Sequence, residues 1–161
     1  MWIKLDLEGL KLELKIENYI PKQTIDGTWA NVSFNFEFQD IIKYSQNGSE
    51  CLLCSEIDDL ILFLEDLLNN KMNEREEYGC IEPDFTFIFT PKDLNMSIDI
   101  SMELRVNLWN EGLTCNYFST TFSRKKIEQL YLYLSLITNK IEKNDYRIIS
   151  LIENGIIYGD L

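Results

Sequence analysis

Histidine is absent from all 161 residues. The side chain that titrates near neutrality and most often ligates metals is therefore missing. Serine and cysteine have no imidazole to activate them as nucleophiles. Basic charge is scarce as well: 15 Lys and Arg face 27 Asp and Glu, for a formal net charge of -12. A field of that sign repels nucleic acid and anionic membrane and steers basic proteins in. With 7 Gly and 3 Pro, the composition argues against disorder. No apolar run reaches the roughly 20 residues of a membrane helix. Lys4 and Asp6 interrupt the first apolar residues, so no signal-peptide core is read there. The chain therefore reads as cytoplasmic, with its four cysteines reduced. No glycine-rich phosphate loop or dinucleotide fingerprint occurs. Together these absences favour a binding role over a reaction.

What is present is ample core material, with 45% hydrophobic residues. The length fits a single domain, 1–161. Period-two alternation of Ile3, Leu5 and Leu7, then Leu10 to Ile16, predicts a hairpin with one wet face. Ala30 to Phe38 predicts a further strand. Two short strands are expected around a tight turn at Gln46-Asn47-Gly48-Ser49. Ser55 is expected to open a helix, with Asp58 completing its cap. Ile57, Leu60, Ile61, Leu64, Leu67 and Leu68 form that helix's core stripe. Residues 71–79 read as a polar loop.

The second part repeats the plan, giving two strands-then-helix halves at about 1–72 and 80–141, with a C-terminal segment 142–161. Phe85 to Phe89, Ile98 to Leu108 and about 113–122 read as strands. Asn110-Glu111-Gly112 reads as a turn, and Ser123 as the cap of a second helix. Asp145 to Gly155 reads as a short helix. Leu132 and Leu136 lie away from the second helix's core stripe, so the C-terminal segment should cover them, or else a dimer contact. The expected class is α+β: an antiparallel sheet with two amphipathic helices on one face and a short C-terminal helix.

Candidate chemistry is sparse. Cys51 and Cys54 form a C-x-x-C pair, with Cys80 and Cys115 elsewhere, but no second pair and no knuckle glycine. Buried thiols acting as small apolar residues explain them better than zinc. Asp84, Asp99 and Glu103 suggest the carboxylates of a metal-dependent hydrolase. Arg105 stands where such a site wants lysine, and the surface is acidic rather than phosphate-holding. No metal, cofactor or catalytic residue is assigned.

The acidic surface is the stronger lead. Asp58, Asp59, Glu65 and Asp66 fall opposite the first helix's core stripe, with Leu62 among them. An apolar residue ringed by carboxylates has the pattern of an interface anchor with a charged rim. Glu74, Glu76 and Glu77, then Glu82 and Asp84, form a second acidic cluster. Trp29 opens its strand on the polar register, which suggests a place at the sheet's edge.

The order of these segments resembles the WapI-type immunity proteins of bacterial polymorphic toxin and contact-dependent inhibition systems. In that family an N-terminal hairpin is followed by an Asp-x-Asn-Trp-Leu-like segment that opens a long strand. Asp26-Gly27-Thr28-Trp29-Ala30-Asn31-Val32 stands in that place, with Asp26, Trp29 and Val32 matching and Thr28 and Ala30 differing. The leucine-rich helix follows, then Glu82-Pro83 ahead of long alternating strands and a closing helix, covering about residues 1–141. The resemblance implies a non-catalytic protein that binds and neutralises a cognate toxin; a monomer or homodimer is expected. Toxins that cut nucleic acid carry basic grooves, which an acidic partner can fill.

Overall fold

The computed structural model describes residues 1–7, 9–21, 27–39, 41–82, 85–91, 100–108 and 116–159. Four strands, β1 (Trp2–Leu7), β2 (Leu10–Glu17), β3 (Trp29–Phe38) and β4 (Ile42–Leu53), lead into α1 (Cys54–Leu68). Four more, β5 (Glu76–Gly79), β6 (Phe85–Phe89), β7 (Ser101–Leu108) and β8 (Asn116–Ser123), lead into α2 (Arg124–Ile137). The short helix α3 (Tyr146–Glu153) and β9 (Ile157–Tyr158) follow.

The α+β class, the antiparallel pairing and the short C-terminal helix match expectation. The strands, however, form two sheets where one was expected, ordered β4-β3-β2-β1-β9 and β5-β6-β7-β8. Alternation requires that one face be covered without saying by what. Here each sheet helps cover the other: Phe34 meets the edge of Phe85 at 5.0 Å and Phe36 meets Phe118 at 4.7 Å between ring centroids. One hydrophobic cluster draws on both sheets and all three helices. α2 touches β1, β7 and β8 as well as α1 and α3, so it bridges the sheets instead of lying on one of them.

Asn47-Gly48 is not a hairpin turn. β4 runs unbroken through it, and the chain reverses earlier, where Phe38 pairs with Ile42. Gly48 instead supplies a left-handed φ of 63° inside a strand whose register shifts twice against β3. One type of bulge takes up its extra residue with that geometry, which glycine adopts without strain. The Gly48 N–H, turned from the ladder, donates to Ser33 Oγ at 2.9 Å.

β5 also differs from expectation, since residues 76–79 pair with β6 along Glu76↔Phe89 to Gly79↔Thr86. Its charged composition suits a sheet edge, where charge deters further pairing. Trp29, half-buried, sits opposite Leu53 on β3, which has β4 and β2 on either side. It therefore opens an interior strand and not an edge one. Asp26, the turn at Asn110-Glu111-Gly112, Cys115, Asp84 and Asp99 lie outside the described residues.

α1 starts at Cys54, before the expected Ser55. Leu53 is the N-cap, and its N–H donates to the Glu56 carboxylate at 2.8 Å. Asp58 is drawn elsewhere, as described below. Both long helices end with asparagine in the left-handed region, Asn70 at φ 57° and Asn139 at φ 58°. The Arg124 guanidinium, at the start of α2, donates to the Leu68 carbonyl and to Asn70 Oδ1 at the end of α1. A cation there also complements the helix dipole.

Leu132 and Leu136 are each only 4% exposed within the single chain, and α3 packs on α2 through buried Ile148 and Leu151. The dimer contact envisaged through those two leucines is thereby removed. Tyr133 is fully buried, and its hydroxyl accepts the Ile16 N–H at 3.0 Å and donates to the Met1 carbonyl at 3.2 Å.

Candidate binding face

α1 shows two stripes. Ile57, Leu60, Ile61, Leu64 and Leu67 are buried, as expected. Opposite them run Ser55, Asp59, Leu62 and Asp66, spaced by four, three and four residues, which keeps them in one row along the helix. Leu62 is 55% exposed.

The carboxylates expected around Leu62 are not equivalent. Asp58 accepts from the Tyr19 hydroxyl at 3.0 Å and pairs with Lys140 at 3.2 Å, so it ties the loop after β2 and the end of α2 to α1. Burial, and then Asp58 itself, push the Tyr19 phenol up to about 12. Asp66 pairs with Lys71 at 2.7 Å, and this bond raises the lysine's pKa. Glu65, half-buried, lines a cleft with Arg124 and Arg147. Asp59 is exposed, with no ion pair among the described residues.

The second acidic cluster adjoins the first. Phe63 of α1 meets Tyr78 of β5 at 5.8 Å, and the Tyr78 hydroxyl donates to the Glu56 carbonyl at 2.6 Å. Burial is the main cause that raises the Tyr78 phenol's pKa, with Cys80, Glu56 and Asp59 adding to it in that order. The Glu56 carboxylate, buried, also accepts the Ile81 N–H. α1 and residues 76–82 thus form one seam, although residues 69–75 separate them in sequence. Strand alternation splits the expected trio. Tyr78 turns inward against Phe87, so Glu76 shares the α1 side. Glu77 faces the outer surface of its sheet, where it pairs with Arg75 at 2.9 Å and adds to the field on Arg105. Glu74, Glu76 and Glu82 are exposed.

Sequence reasoning missed Ile81, which is 67% exposed, and the half-buried Phe63 and Tyr78. No spacing signal links residues that meet only through strand pairing.

Of the three carboxylates of the hydrolase alternative, Glu103 alone lies among the described residues. Glu103 accepts from Arg105 at 2.8 Å and from Ser119 at 2.6 Å, and those bonds hold its carboxyl below the usual range. Arg105 in turn lies 5.2 Å from the Tyr117 ring centroid. Among the described residues no three His, Cys, Asp or Glu side chains gather as a ligand set. Cys51, Cys54 and Cys80 are buried thiols, and Cys54 Sγ accepts the Ile20 N–H at 3.4 Å. No helix is long and apolar enough to cross a membrane among the described residues.

No curated protein matches the chain. The model of the immunity protein WapI-like family matches residues 3–142, and with nearly the whole chain inside that match, the protein belongs to the WapI-like family of immunity proteins.

Proposed function

We propose that this protein neutralises a cognate bacterial toxin by stoichiometric binding, in the cytoplasm and without catalysis. The observation that carries the reading is the family match across residues 3–142. The net charge of -12 supports a basic partner, of which a nucleic-acid-cutting toxin domain is the natural example. An acidic protein seated over a basic groove blocks phosphate entry, and it needs no reacting group of its own. Asp58, Asp59, Leu62, Glu65, Asp66, Glu74, Glu76 and Glu77 are the residues proposed for this contact. Asp58, Asp66 and Glu77 already have cationic partners, so they shape the surface more than they add free charge.

The test is co-expression with the toxin domain encoded beside this gene, followed by co-purification. Protected growth and a complex of fixed stoichiometry are expected. The complex should form more slowly as ionic strength rises, because exposed charges are screened. Absence of both protection and binding would remove the reading.

A further inference from the structure

The seam between α1 and β5 carries more than negative charge. Leu62 on α1 and Ile81 just after β5 are 55% and 67% exposed, and the Phe63–Tyr78 contact joins α1 to β5. The backbone beneath Ile81 is held by the Glu56 carboxylate, and that of α1 by the Tyr78 hydroxyl. Two aliphatic side chains therefore stand on a fixed base, in water, with half-buried aromatic rings in the seam. Such anchors supply binding energy when a partner covers them, while the charges around them supply rate and orientation.

The rim is negative where it is not internally neutralised. Asp59, Glu76 and Glu82 are exposed and have no ion pair among the described residues. A second copy of the chain is a poor occupant, because it would set carboxylates against carboxylates between two bodies of charge -12.

We infer that the α1–β5 seam is the docking surface, and that it takes a basic protein segment whose apolar side chains cover Leu62 and Ile81 while lysine or arginine lies over Asp59, Glu76 and Glu82. This rests on the reading that the protein binds a basic toxin. Asp58, on the same helix, is tied to Tyr19 and Lys140, so it shapes this surface and offers it little free charge.

The experiment measures association and dissociation rates with the toxin domain encoded beside this gene. Leu62→Ala with Ile81→Ala should raise the dissociation rate by at least about tenfold and leave the association rate near its original value. Asp59→Lys with Glu76→Lys should lower the association rate by about tenfold and flatten its salt dependence. Glu153→Lys on α3, exposed and on a separate element, should alter neither rate by more than about twofold. All substituted sites are exposed, and a thermal melt of each variant confirms that the fold is kept. If the native protein binds and the seam variants match it in both rates, docking occurs elsewhere and the inference is overturned. If the native protein does not bind at all, the functional reading falls and takes the seam with it.

Discussion

Removing the Tyr133 hydroxyl should weaken the whole fold. β1 and β2 pair from Leu7↔Leu10 to Trp2↔Lys15, so continuing the ladder would set Met1 opposite Ile16. The Tyr133 hydroxyl occupies that step, taking the Ile16 N–H and passing its own proton to the Met1 carbonyl. Burial raises the phenol's pKa, so it remains a donor through the working pH range. Tyr133→Phe keeps the ring and its packing but strands the buried Ile16 N–H, at a cost of about 1–3 kcal/mol. At about 2–4 °C per kcal/mol for a chain of this size, the melting temperature should fall by roughly 2–12 °C. Calorimetry and urea unfolding should agree, with the denaturant slope unchanged. Tyr146→Phe, at a residue 78% exposed, is the control and should stay within about 0.5 kcal/mol. A Tyr133→Phe protein as stable as that control would refute the argument, because the amide would then have found another acceptor.

Further outcomes follow from other contacts. Glu56→Ala deprives the Leu53 and Ile81 amides of their acceptor and should cost about 2–4 kcal/mol in urea unfolding, with Glu56→Gln losing less. Asp145 caps α3, and hydrogen bonds from the Arg147 side chain and N–H lower its carboxyl from 3.8 to about 2. Its stabilisation should therefore be complete above about pH 3.8 and vanish as pH falls through about 2. Amide exchange across α3 should report that loss, and Asp145→Asn should abolish the pH step. Cys51, Cys54 and Cys80 should react with a thiol reagent only at the rate of unfolding, and rapid native labelling would contradict their burial. Leu132→Ala should cost about 2–5 kcal/mol with no change in sedimentation, since that side chain packs inside its own chain.

Sequence made the amphipathic parts readable because their signal is local. The α1 stripe, the Ser123 start of α2, the α3 segment and the alternation in β1 to β3 all follow from spacing and capping. The misses share a cause. β5 looks like loop because four polar-leaning residues become a strand only when Phe89 to Thr86 lie beside them. Asn47-Gly48 carries a turn's chemistry, yet the long β3 partner keeps it in line. Alternation also cannot say whether a helix or a second sheet covers a face, and here Phe85 and Phe118 come from the other sheet. At the binding face, Leu62's exposure was legible from the helical wheel. The engagement of Asp58 by Tyr19 and Lys140 was not, since those partners lie 39 and 82 positions away. Ile81 joined the face only through Glu56.

β1 is fully held only once β9, about 150 residues later, is in place. β1 waits for β9, whose Ile157 and Tyr158 pair with Ile3 and Trp2, and for the Ile156 carbonyl that accepts the Lys4 N–H. During synthesis on the ribosome its outer edge therefore stays open until residues 156–158 have emerged. Such an edge is where a nascent chain would pair wrongly with a neighbour. Deletion of residues 156–158 should thus harm yield and solubility more than their small buried area suggests.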